Sequence, residues 1–349
     1  MELEKSFKGK NLYKTLVSKK GRIIILLVLG IFLSFLLNLF VGSAGLSMVD
    51  TIKTVFGQAD KVNRTIIWDI RMPVALSAIL VGAGLAVAGA EMQTVLNNPM
   101  ASPYTLGISS AASFGAALAI ILEISISPFL DSILVSLSAF SSAVFTSFLI
   151  FSLSKKYNWD KSVMILFGIA MSFLFGALTT FLQYIANENN LQSFIFWSFG
   201  DLSKISWKQI FILFFIVASI YLFFFKQSWS LTAMTLGDTN AMSLGIDVKS
   251  LRRKSIILIS VLSATCVAFA GTIGFIGIVA PHIARILCGE DQRYFLPVSA
   301  LVGALILSLA SILGKTLIAG VILPIGLVTS MVGIPFFVYL IINHKGGSR

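Results

Sequence analysis

Runs of about 20 consecutive apolar residues recur from Ile23 almost to the end of the chain, separated by short polar stretches. A helix of that length rises about 30 Å, the thickness of a bilayer's hydrocarbon core. The pattern predicts spans at 22–41, 71–95, 105–124, 132–153, 161–185, 207–225, 255–270, 272–288, 296–312 and 324–342. The expected fold is therefore all-α: a single ten-helix transmembrane domain over 22–342, after a basic segment 1–21 and before a tail 343–349, with a longer loop at 226–254. The first run is too long for a signal-peptide core and lacks an A-x-A-like cleavage site, so it reads as the first span. Around 255–288, Gly271, Gly274 and Gly277 leave two readings open, a hairpin of two spans or one broken helix. The second span carries Gly82, Gly84, Ala86, Ala88, Gly89 and Ala90. Small residues let helices approach closely where lipid supplies no hydrophobic drive, so a tightly packed bundle interior is expected.

Composition agrees with a chain built for lipid. Of 349 residues, 57% are hydrophobic and 12% charged, against roughly 45–50% and 25% in soluble domains, and the mean hydropathy is +0.93. The net charge of +11 does not point to nucleic acid, because the basic residues fall in short segments between apolar runs. With ten spans, 19 of the 26 Lys and Arg lie on the side that carries both termini, and the positive-inside rule makes that side cytoplasmic.

Cys266 and Cys288 form no disulfide framework or metal-ligand spacing, and two histidines cannot supply a metal site or a catalytic cluster. No catalytic residue, bound cofactor or metal is expected. Gly314-Lys315-Thr316 resembles the end of a phosphate-binding loop, but Leu309 stands where that motif needs glycine and an apolar span precedes it. If transport runs on ATP, hydrolysis belongs to another subunit. Glu91, near the inner end of span two, is expected to be solvated or paired with backbone, and His282 to make a structural hydrogen bond. An ion-coupled secondary transporter would need paired intramembrane charges, of which Glu91 is the nearest candidate.

Between spans two and three, Gln93 to Pro103 holds two prolines and the pair Asn97-Asn98, which break the helix. Irregular backbone at membrane depth is tolerated only where protein covers it or it lines a wet cavity. Span five interleaves Ser172, Thr179, Thr180 and Gln183 with Phe173, Phe175 and Phe181. That weakly polar wall suits a bulky cargo that must not be held tightly.

Several ordered motifs resemble one family. They are Arg71-Met72-Pro73; Gly82 to Ala90; Asn98-Pro99-Met100-Ala101-Ser102-Pro103; Leu106-Gly107-Ile108-Ser109; Trp197-Ser198-Phe199-Gly200; Gly271 to Gly277; Pro281-His282-Ile283-Ala284-Arg285; and Leu323-Pro324-Ile325-Gly326. Over roughly 60–342 the chain resembles the FecCD permeases of bacterial importers for ferric siderophores, haem and cobalamin. The resemblance implies a ten-helix subunit of the bacterial inner membrane that dimerises, as homo- or heterodimer. It also implies cytoplasmic ATP-binding-cassette ATPase subunits as partners and cargo delivered by an extracytoplasmic binding protein. Leu236, Gly237, Ala241, Met242, Leu244 and Gly245 match the short coupling helix that seats in the ATPase. Arg71 and Lys315 match basic positions that pair with carboxylates of the binding protein, and Arg64 in the same outer loop adds to steering. The resemblance also sets span five beside the channel and Met100 at its inner gate, with Asn98 and Pro99, while the commonest role implies ferric-siderophore cargo. The chain departs from the pattern at Val74, Lys315, Ser311 and Ile322, where the family commonly has a second basic residue, arginine, aspartate and glutamate. A lysine cannot make arginine's bidentate fork, so weaker or differently distributed docking is expected.

Overall fold

The computed structural model describes residues 2–42, 45–58, 60–124, 128–318 and 320–344. The predicted tail 343–349 lies largely outside these described residues, as does Met1 of the predicted N-terminal segment. Among the described residues every regular element is helical, and the one bridge between extended residues joins Ile318 to Val321.

In chain order the helices are α1 (Glu2–Phe40), α2 (Met48–Val55) and α3 (Lys61–Arg64), followed by a π-helical segment Thr65–Arg71 that runs directly into α4 (Met72–Leu96). Then come α5 (Ile108–Ile121), α6 (Pro128–Lys156), α7 (Lys161–Ile185), α8 (Glu188–Ser198), α9 (Trp207–Lys226), α10 (Ser228–Met234) and α11 (Asp238–Ser243). The chain closes with α12 (Val248–Ala270), α13 (Ile276–Cys288), α14 (Gln292–Thr316) and α15 (Ile325–His344). Among the described residues, seven helices are long and apolar enough to cross a membrane, and α5, α13 and the described part of α15 are shorter apolar helices. Every predicted span falls on one of these helices. Polar side chains fix several starts: Asp160 caps α7, Asn187 caps α8, and Ser206 with Gln209 forms a capping box on α9.

The bundle is organised around α4. In the most apolar stretch of its segment 78% of the residues are buried, against 22% in α7, so α4 is the axis and α7 lies at the periphery. The small residues of α4 make this possible. A Cβ on Gly82 would collide with the backbone of Gly303 in α14, and one on Gly89 with the backbone of Gly277 in α13. The three helices therefore touch main chain to main chain, which multiplies dispersion contacts where no water need be expelled.

The open reading of 255–288 resolves into two helices joined by non-helical backbone. Gly271 ends α12 at φ +73°, and its missing Cβ leaves room for the carbonyl of Trp197. The exposed polar groups of this break find backbone partners. Asp201 N donates to Ala270 O at 2.8 Å, Gly326 N to Phe199 O at 2.9 Å, and Thr272 Oγ1 to Ser198 O. Irregular segments after α8, after α12 and before α15 thus satisfy one another inside the protein, the condition for such backbone at membrane depth.

Candidate functional site

The residues expected to couple the chain to an ATPase form a compact knob at the end of the bundle where α4 finishes. Gly237 (φ +98°) and Gly245 (φ +81°) adopt left-handed backbone on either side of α11, which folds 235–247 back on itself. Gly245 N donates to Met242 O at 2.9 Å and Ile246 N to Ala241 O at 3.2 Å, closing the turn. Ala241 is fully buried and seats the helix. Leu236, Met242 and Leu244 point outward, 62%, 55% and 58% exposed. Met242 in α11 and Leu236 and Leu244 on its flanks thus bare three large apolar side chains close together.

What holds α11 is a charge cluster that sequence reasoning missed. Arg252 in α12 is only 3% exposed. Its Nη2 donates to both carboxylate oxygens of Asp238 at 2.8 Å, its Nε to Val95 O at 3.1 Å and its Nη1 to Trp159 O at 3.4 Å. Lys161 Nζ lies 2.8 Å from Asp238 Oδ1. Burial alone would raise the Asp238 carboxyl, but its hydrogen bonds to Lys161 and Arg252 prevail and hold it below the usual carboxylate range. One guanidinium therefore ties α11 to the last turn of α4 and to the α6–α7 turn.

The last turn of α4 leads straight into the predicted gate loop. Asn97 ends the helix at φ +49°, Asn98 N donates to Gln93 O at 2.9 Å, and Asn98 Oδ1 accepts from Met100 N at 2.9 Å. Pro99 and Met100 are exposed. The predicted coupling residues and the predicted gate residues Asn98, Pro99 and Met100 thus share one end of the bundle, with Arg252 between them. Further polar pairs brace that end: Gln292 Nε2 donates to Thr94 Oγ1 at 2.7 Å, Arg285 Nη2 to Gln93 Oε1 at 3.1 Å, and Arg285 pairs with Glu290 at 3.0 Å.

The span-five residues lie elsewhere, along α7. Ser172 Oγ and Thr179 Oγ1 donate to carbonyls of their own helix, Gly168 O at 3.1 Å and Phe175 O at 2.7 Å, as does Thr180 to Gly176 O at 3.0 Å. Thr179 is buried, Ser172 and Gln183 half-buried, while Phe173, Phe181 and Tyr184 stand out from the monomer at 61% exposure or more. The described chain alone brings no second wall opposite this face.

Arg71, buried, and Lys315, half-buried, line one cavity at the far end of α4. Arg71 is 4% exposed and its Nη1 donates to Leu39 O at 2.7 Å and Phe40 O at 3.2 Å, closing the C-terminal carbonyls of α1. Lys315 Nζ donates to Asn38 Oδ1 at 2.9 Å, and Ser311 Oγ to the same oxygen at 3.0 Å. Arg64, by contrast, is exposed, as are Lys53 and Lys61. Asn38, a polar residue inside an otherwise apolar run, was a visible signal for this cluster.

Glu91 departs from expectation. It is wholly buried and neither carboxylate oxygen has a hydrogen-bond partner among the described residues, so it is neither solvated nor backbone-paired. Helices α12, α13 and α14 surround this part of α4 and remove it from the water boundary that its position in the span suggested. His282 is half-buried in α13.

Comparison with known proteins joins these features into one identity. The family model of the FecCD transport family matches residues 27–343. The hemin transport system permease of Yersinia pestis is 35% identical over 327 residues, covering 93% of this chain and 98% of that protein. The vitamin B12 import system permease of Vibrio cholerae is 32% identical over 321 residues, covering 91% and 93%. A metal-chelate type ABC transporter solved in an inward-facing conformation superposes with a TM-score of 0.82 at 30% identity, covering 93% of this chain and 99% of that one. This multi-pass protein of the cell membrane belongs to the FecCD transport family, the permeases of ATP-binding-cassette importers.

Proposed function

We propose that the chain is the conduit of an importer that carries a ferric siderophore, or a related metal chelate, into the cytoplasm. Both termini and α11 face the cytoplasm, the ten apolar helices all cross the bilayer, and a second permease subunit completes the pathway against the exposed face of α7. The permease performs no bond chemistry. ATP is hydrolysed by a separate cassette subunit, whose groove receives Leu236, Met242 and Leu244. A cargo-loaded binding protein docks at the opposite end, over the cavity that Arg71 and Lys315 line, with the exposed Arg64, Lys53 and Lys61 adding to steering.

The observation that carries the reading is α11 with its flanks: Leu236, Met242 and Leu244 are bared on a short turn that a buried arginine fastens to the bundle, an arrangement suited to transmit displacement to a partner. The metal-chelate neighbour supports a chelate cargo, with haem and cobalamin as the alternatives that the hemin and vitamin B12 relatives suggest. Leu244→Glu should release the ATPase from the detergent-solubilised complex and abolish uptake while leaving the permease folded. Titrating the co-purified soluble receptor with ferric siderophores, haem and cobalamin then identifies the cargo. Uptake by the lone permease in vesicles, driven by a proton or sodium gradient, would replace this reading with secondary transport.

A further inference from the structure

The loop from α4 to α5 is bonded along its length. Asn98 N donates to Gln93 O at 2.9 Å and Ala101 N to Asn98 O at 3.1 Å. Beyond them the chain ties itself into a knot: Ser102 N donates to Thr105 Oγ1 at 3.0 Å, Thr105 N to Ser102 Oγ at 3.2 Å and Leu106 N to Ser102 O at 3.2 Å. Apart from the exposed Tyr104 and the half-buried Thr105, residues 101–108 are buried. A buried, reciprocally bonded turn of this kind moves as a block.

That block presses on α7 with no side chain of α7 in between. A methyl on Gly168 would lie 2.6 Å from Leu106 Cδ2 and 2.8 Å from Leu106 Cα, and one on Gly107 would lie 2.9 Å from Gly168 O and 3.0 Å from Ser172 N. Neither fits, so the two main chains touch. Gly107 is also required by its φ of +77°. Gly168 has no such reason, and glycine weakens a helix interior, so the close approach is what it supplies. Gly176, two turns further along α7, meets nothing within 4 Å.

Helix α7 has few other holds. It packs chiefly on α5 and less closely on α6. Its outer half shares with α5 and α8 a small cluster of its own, Ala117, Ile121, Leu182 and Phe194. The helix is therefore set to follow the block and α5, and only through them the end of α4.

We propose that Gly107 and Gly168 are positioning residues of the transport cycle, whose main-chain contact carries motion of the 97–107 loop to α7. The proposal rests on the reading above, in which α11 seats the ATPase and α7 faces the cargo. The test places spin labels on the full permease–ATPase complex through Tyr104→Cys with Leu166→Cys, across the contact, and Leu166→Cys with Trp229→Cys, from α7 to α10. All three positions are more than half exposed, and the native Cys266 and Cys288 are buried from the label. Between the nucleotide-free and the vanadate-trapped states, the 104–166 distance should stay fixed while the 166–229 distance shifts. Gly168→Ala should lose that shift while still co-purifying the ATPase and trapping nucleotide, and Gly176→Ala should keep it. A Gly168 that merely packs predicts instead a lower melting temperature with the shift intact, which overturns the proposal. A 104–166 distance that changes with nucleotide in the otherwise unaltered chain also overturns it, and decides the matter even if Gly168→Ala does not fold. An otherwise unaltered permease that retains no ATPase would sink the reading of α11, and this proposal with it.

Discussion

The Arg252–Asp238 pair should behave as a buried tie, and Lys161–Asp238 as a surface contact. Replacing Arg252 by Met keeps an apolar stem but removes four donated hydrogen bonds and leaves Val95 O and Trp159 O without this partner. The Trp159 bond is long at 3.4 Å, so most of the loss comes from the carboxylate pair and Val95. A charge-assisted pair contributes about 1.5–3 kcal/mol and an orphaned buried carbonyl about 1–3. The Asp238 side chain is 34% exposed, which screens the pair toward the lower end. The expected loss for Arg252→Met is therefore about 3 kcal/mol. In a double-mutant cycle with Asp238→Ala the coupling energy should be about 1.5–2 kcal/mol. The matching cycle for Lys161→Ala, with 26% and 34% exposed partners, should give about 0.5 kcal/mol. Reversible unfolding of the reconstituted chain in mixed micelles measures both. Equal coupling in the two cycles, or an Arg252→Met penalty below about 1 kcal/mol, would refute the claim that this guanidinium fastens α11.

The depressed Asp238 carboxyl gives this clamp a pH dependence of definite sign. Its stabilisation is complete above the ordinary aspartate value of about 3.9 and is lost as pH falls through the lower folded value, so acid unfolding should flatten in Asp238→Asn. Gly89→Ala should cost about 1–3 kcal/mol or prevent folding, because its methyl meets the Gly277 backbone. Gly176→Ala, with nothing within 4 Å, should instead be neutral or stabilising by up to about 1 kcal/mol; thermal melts of the two variants compare them. Leu244→Glu should leave the melting temperature unchanged, since the side chain is 58% exposed, yet prevent co-purification of the ATPase.

Each predicted apolar run falls on a helix because burial in lipid constrains length and composition locally, and neither requires knowledge of the partners; the short helices α2, α3, α8, α10 and α11 lie outside those runs. The knob around α11 was legible for a similar reason: Gly237 and Gly245 bracket it, and Leu236, Met242 and Leu244 break the polarity a loop should have. What escaped was pairing across the sequence. Arg252 reads as one of three consecutive basic residues at a span's edge, and nothing near it announces Val95, 157 positions earlier, as its acceptor. Arg71 reads as an outer-loop charge because it stands beside a predicted span boundary; the π-helical turn before α4 and the end of α1 bury it instead. Span five reads as a weakly polar wall, and a Ser or Thr in a helix that returns its hydrogen bond to the carbonyl four residues back, as Ser172 and Thr179 do, offers little polarity to a neighbour. Both the misses and the successes follow from one asymmetry. The bilayer imposes its demands on each segment separately, whereas the two ends of α4, where the charges gather, are defined only by the helices that converge there. Along α4 itself, Gly82 and Gly89 bring α14 and α13 into main-chain contact, leaving little slack between Arg71 at one end and Val95 at the other. A displacement of α11 delivered through Arg252 would therefore meet a stiff axis at Val95, next to the irregular backbone at Asn97 to Pro103.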